Sequence, residues 1–181
     1  MITREECTAL EKSGLLDQEP LELVEGELIN RLHGKKRPHV VAVNRLQAWL
    51  IHTFGWPYVN VGAPIDVAPE DNSTNEPVPD LIVLRQASSH FTSNPRPREL
   101  RLVVEVADTS LSFDLKVKAA LYARAGVSEY WVLDVAGRRL LVHRNSQSGA
   151  YADVAAYNDN ESVSPLAAPE AQFRVADAFP D

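Results

Sequence analysis

The chain has 181 residues, the size of one domain and enough to bury a core without disulfide staples. Hydrophobic residues at 45% and charged residues at 24% give the composition of an ordinary soluble globular protein. A net charge of −7 counts against a general nucleic-acid coat, and a single cysteine, Cys7, excludes an internal disulfide.

The N-terminal stretch MITREECTALEKSGLLDQE shows no basic region followed by an apolar one, so it does not read as a secretory signal. No apolar run approaches the roughly 18–20 residues a membrane helix needs. The expectation is a soluble cytoplasmic protein folded as one domain over residues 1–181. Residues 1–19 suit a short helix. LELVEGELI (21–29) then places Leu21, Leu23, Leu28 and Ile29 around the turn-like Glu25-Gly26, which predicts a strand–turn–strand unit.

From Pro38 to Phe54 the apolar residues Val40, Val43, Leu46, Leu50 and Ile51 recur at helical spacing, with Pro38 in the first turn and Gly55 as a stop. YVNVGAPIDVA (58–68) reads as a strand and EDNSTNEPVP (70–79) as a polar loop. PDLIVLR (79–85) and ELRLVVEVAD (99–108) have the β-branched and leucine content of central strands buried on both faces. A Ser/Thr-rich turn leads to the helix FDLKVKAALYARAG (113–126), closed by Gly126. EYWVLDV (129–135) and RRLLVHR (138–144) predict a hairpin around Ala136-Gly137, and the tail adds an edge strand near Phe173–Val175. Mixed strands with two principal helices define an α/β or α+β fold.

Three residues carry chemistry together. Strand alternation puts Glu105 in an otherwise apolar strand, where an unpaired carboxylate is costly and needs a hydrogen bond, a proton or a cation. If 80–85 and 100–107 pair antiparallel, Asp80 at the start of one meets Glu105 near the end of the other. Two such carboxylates repel unless a hard divalent cation binds both. Lys118 shares a helix face with Asp114, Leu121, Tyr122 and Ala125 and can pack over the end of the Glu105 strand. An exposed Asp114–Lys118 pair is the plainer reading of that spacing.

Two basic clusters, Arg31, His33, Lys35, Lys36, Arg37 and His39, and Arg96, Arg98 and Arg101, suit either phosphate contact or a solvated loop. No His-Glu-x-x-His, paired Cys-x-x-Cys, Gly-rich phosphate loop or Gly-x-Ser-x-Gly elbow is present, and the five histidines lack zinc spacing.

LELVEGELI, the Pro38-His39 helix start, Pro79-Asp80-Leu81 and LVVEVADTSLSFDLKVKAALYARAGVSEYWVLD resemble a bacterial family of restriction endonucleases within the PD-(D/E)xK superfamily. The resemblance spans roughly residues 20–180 and implies a restriction-endonuclease-like mixed sheet flanked by helices. It implies Asp80 and Glu105 as ligands of Mg²⁺ or Mn²⁺, Lys118 as the catalytic lysine, Glu25 or Glu27 as an accessory glutamate, and His39 as a further polar residue. The superfamily lysine normally stands two residues after the glutamate, where this chain has Ala107. The substrate so implied is DNA; the competing reading is a catalytically silent module that keeps the nuclease fold. A two-fold homodimer is expected, with the 129–144 hairpin as its interface.

Overall fold

The computed structural model describes residues 1–16, 19–32 and 35–180. The chain opens with α1 (Arg4–Lys12), whose Thr3 and Glu6 form a reciprocal capping box that satisfies two free amides. β1 (Leu21–Val24) and β2 (Glu27–Asn30) form the expected hairpin. Its turn holds Glu25 and Gly26 at φ of 50° and 74°, the left-handed pair a tight two-residue hairpin requires. α2 (Arg37–Phe54) follows, with Pro38 in its first turn.

A six-stranded mixed sheet forms the centre, in the order β3 (Val59–Val61), β4 (Leu81–Leu84), β5 (Leu100–Ala107), β6 (Glu129–Asp134), β7 (Arg139–Gln147) and β8 (Ala150–Asn158). All neighbours are antiparallel except β5 and β6. A parallel pair needs a crossover, and here it is one helical rod: α3 (Leu111–Phe113), a π-helical turn (Asp114–Lys118) and α4 (Ala119–Arg124). Gly126, at φ 76°, ends the rod.

The sheet separates two cores, as the period of two in β5 dictates. Leu102, Val104 and Val106 pack with Ala42, Leu46 and Leu50 of α2, while Val103 and Ala107 pack with Leu121 and Tyr122 of α4. Every one of these side chains is buried.

Three expectations are corrected. The strand over 58–68 ends at Val61, because Gly62 turns at φ 57° and Pro64 has no amide to give a ladder. Phe173–Arg174 does form a strand, β10, but it pairs with β9 (Ser162–Val163) in a separate two-stranded sheet. The main sheet's edges are β3 and β8, and β8 pairs along β7 and covers it. The hydrophobic 129–144 hairpin therefore lies inside the sheet, and a homodimer would have to use another surface.

Candidate active site

Asp80 immediately precedes β4, whose antiparallel register sets Leu81 against Val104 and so carries Asp80 to the Glu105 end of β5. Its Oδ2 accepts a hydrogen bond from the Val106 amide at 2.8 Å and lies 3.6 Å from His39 Nε2 in the first turn of α2. Oδ1 faces Lys35 Nζ at 3.3 Å. Burial works against the Asp80 charge. The His39 hydrogen bond, the Lys35 charge and the Val106 amide outweigh it and hold the carboxyl far below its usual range.

By strand alternation Glu105 points to the face of Val103 and Ala107, where Lys118 meets it. Lys118 Nζ donates to Glu105 Oε1 at 2.7 Å and lies 2.9 Å from Glu22 Oε2, and Tyr122 donates its hydroxyl to the same Glu105 oxygen at 3.2 Å. The three charged side chains are almost fully buried. Burial disfavours the Lys118 ammonium, but Glu105, Glu22 and Asp114 overcome that cost and raise its pKa, so it stays protonated at any ordinary pH. Burial likewise raises Glu105, only partly offset by Lys118 and reinforced by the charge of Asp80.

The π-helical turn places both of its inward charges. Asp114 and Lys118 are buried, whereas Lys116 between them is exposed. Asp114 accepts from Ser110 Oγ at 2.6 Å, and burial, resisted by Lys118 and Ser110, raises its pKa to about 6. Single π-turns inside helices recur at functional sites, where they re-aim side chains without breaking the rod.

These groups open on a cavity of about 460 Å³, with Asp80, Glu105, Asp108, Asp114, Lys35 and His39 among its walls. At formal charge, five carboxylates (Glu22, Asp80, Glu105, Asp108 and Asp114) lie with Arg31, Lys35 and Lys118 at or beside the cavity, two negative charges in excess, an excess that either a cation or protons on the raised Glu105 and Asp114 relieve. Asp108 Oδ2 is buried on the same cavity with no hydrogen-bond partner among the described residues. The second oxygen of Glu105 accepts no hydrogen bond among them either.

A hard divalent cation fits this donor set: it takes carboxylate oxygen and matches the missing charge. Among the described residues no three His, Cys, Asp or Glu side chains are arranged to hold such an ion alone.

Asp80, Glu105, Lys118 and His39 thus come together, while Glu27 does not. Glu27 is exposed on β2, and Glu25 pairs at the surface with Arg124. The buried glutamate is Glu22, which also accepts from the Val78 amide at 3.0 Å. Its signal was a glutamate in an apolar strand, the same that marked Glu105. Of the basic clusters, Arg31, Lys35 and His39 reach the cavity, and His33 lies outside the described residues. Arg96 and Arg98 border a different depression beside Pro69 and Arg124.

The mixed sheet thus ends in a buried Asp–Glu pair with a helix-borne lysine. The Uma2 family, described as putative restriction endonuclease, matches residues 4–176, and the chain belongs to that family. Membership supports a nuclease-like function. Among solved structures, a putative nuclease belonging to DUF820 from Anabaena variabilis ATCC 29413 is similar at a TM-score of 0.71 and 15% identity, covering 99% of this chain and 98% of its own; this likeness speaks to the fold. No curated protein matches the chain.

Proposed function

We propose that the chain is a metal-dependent endonuclease that hydrolyses phosphodiester bonds in DNA, with Mg²⁺ or Mn²⁺ as cofactor. One observation carries the reading: Asp80 and Glu105 meet at the sheet end beside a buried, protonated Lys118.

Asp80 and Glu105 would hold the cation. When bound, it would polarise the scissile phosphate and acidify a coordinated water. The Val106 amide and His39 keep Asp80 ionised and oriented. Lys118 and Tyr122 fix one oxygen of Glu105, leaving the other for the cavity. Lys118, held protonated, is no general base; set behind Glu105 and not on the cavity wall, it would offset through that carboxylate the negative charge that develops on the phosphate. Glu22 anchors that ammonium between β1 and β5.

A catalytically silent module would keep a costly feature without use, since burying a lysine among carboxylates carries a desolvation penalty that a hydrophobic replacement avoids. The test is nicking of supercoiled plasmid across divalent metals, with Glu105→Gln as the matched blank. Cleavage that needs a divalent cation and is lost in Glu105→Gln supports the reading. Cleavage by neither protein under any metal refutes it.

A further inference from the structure

The two lysines that reach the carboxylate pair are held very differently. Lys118 is 2.7 Å from Glu105 and 2.9 Å from Glu22 with its side chain 3% exposed, whereas Lys35 is 3.3 Å from Asp80 and 25% exposed. A partly solvated pair at that distance is weak and exchangeable; a buried pair with two partners is not. Lys35 enters from the segment between β2 and α2, beside Arg31 at the cavity wall. Its partner atom matters too. Oδ2 of Asp80 is committed to the Val106 amide, so Oδ1 is the oxygen left for a cation, and Lys35 stands on it.

The geometry points to Lys35 as an exchangeable counter-ion that occupies Asp80 in the absence of the divalent cation and contacts a substrate phosphate in its presence. This rests on the metal-site reading above. A dication taking Asp80 Oδ1 removes the lysine's partner and repels its charge at once. The freed ammonium, on a flexible four-carbon stem, stays at the cavity wall with Arg31, where it can meet a phosphate diester. Linkage makes the effect reciprocal: Lys35 weakens cation binding, and the bound cation strengthens the grip of Lys35 on phosphate. The arrangement lets the site stay charge-paired when empty without carrying a fixed competitor for the substrate-bound state.

Two titrations on the full chain test it. In the first, Mn²⁺ alone is titrated calorimetrically into wild type, Lys35→Met, Lys35→Gln and the surface control Lys116→Met. Both Lys35 variants should bind Mn²⁺ about tenfold tighter, the scale of one nearby like charge removed, and Lys116→Met should match wild type. In the second, a short DNA duplex is bound with Ca²⁺ or with chelator and followed by anisotropy. Lys35→Met should lose affinity only with Ca²⁺, and its salt slope should fall by about one there. Wild type that binds Mn²⁺ while the Lys35 variants bind it no tighter overturns the counter-ion and leaves the metal site standing. Equal loss of DNA affinity with and without Ca²⁺ also overturns it, making Lys35 an ordinary phosphate contact. Failure of wild type to bind Mn²⁺, or equal binding by Asp80→Asn, removes the metal site and this inference together.

Discussion

The ammonium of Lys118 lies 2.7 Å from Oε1 of Glu105, although it comes from the helical rod and not from the glutamate's own strand. Two residues after Glu105 stands Ala107, buried in the cluster that holds Leu121 and Tyr122 of α4. The rod turns back over β5 directly after it, so Lys118 reaches the same carboxylate from above.

Replacing Lys118 should therefore cost both rate and stability, and the two are separable. Lys118→Met should cut plasmid cleavage by ~10²–10³-fold, the range for loss of one electrostatic donor. It also leaves Glu105 and Glu22 buried without their cation, so a destabilisation of ~3–5 kcal/mol is expected from thermal melts. Lys116→Met, exposed on the same rod, should change neither by much. Rates taken well below the melting temperature isolate the chemistry. Equal rate losses in the two variants, or no loss in Lys118→Met, would remove Lys118 from the reaction.

Asp80→Asn keeps an oxygen for the Val106 amide but deletes the charge that a hard cation needs. Mn²⁺ affinity should drop at least tenfold, with a far-ultraviolet dichroism spectrum unchanged from wild type. The same Mn²⁺ affinity in both proteins would exclude Asp80 as a ligand.

Which parts of this site the sequence exposes follows from what each residue's neighbours reveal. Antiparallel pairing of two short apolar runs was enough to bring Asp80 to Glu105, because register fixes which ends meet. Helical spacing put Asp114, Lys118 and Tyr122 on one face, and all three are buried, even though a π-turn replaces the regular helix there. Nothing in FDLKVKAALYARAG announces that turn; it arises where the rod packs on β5 and β6. Glu22 was obscured by its surroundings. In LELVEGELI the glutamates flanking the glycine draw attention, and only the docked hairpin shows that Glu22 faces Lys118 while Glu27 faces outward. β8 was missed for a different reason: AYADVAAYN is mostly exposed and alanine-rich, so it shows no apolar alternation, and its pairing is set by the Ser148-Gly149 turn after β7. The same omission left the 129–144 hairpin reading as open surface, where β8 covers its β7 edge.

The exchange of Glu27 for Glu22 is itself testable. Glu22→Gln removes one of the charges that hold Lys118 in place, and cleavage should fall at least tenfold as the ammonium loses its second anchor. Glu27→Gln alters an exposed side chain on β2 and should leave the rate within about twofold. A larger loss for Glu27→Gln than for Glu22→Gln would reverse the assignment.

Asp114 makes the metal-free protein's stability depend on pH in a direction opposite to an ordinary ion-paired carboxylate. Burial lifts its folded value to about 6 from the usual 3.8, so between those values the folded state holds a proton that the unfolded chain has released. Its stabilising contribution is complete below pH 3.8 and is lost as pH rises through about 6. Glu105, also raised by burial, acts with the same sign, whereas Asp80, held low, acts only in stronger acid. The groups whose charges act on Asp114 include Lys118, Asp80 and Glu22, with the Ser110 hydroxyl bonded to it. With chelator present, wild type should melt at progressively lower temperature from pH 4.5 to pH 6.5. Asp114→Asn, which cannot ionise, should show a flatter profile. Taking ~1–2 kcal/mol for the group after allowance for its coupling, the two profiles should diverge by about 2–8 °C across that window. A divalent cation at Asp80 and Glu105 supplies the charge the proton was replacing, so adding Mn²⁺ should restore wild-type stability most at the upper end of the range. Parallel profiles for the two proteins would show that Asp114 titrates alike folded and unfolded, and that the buried cluster is neutralised by other means.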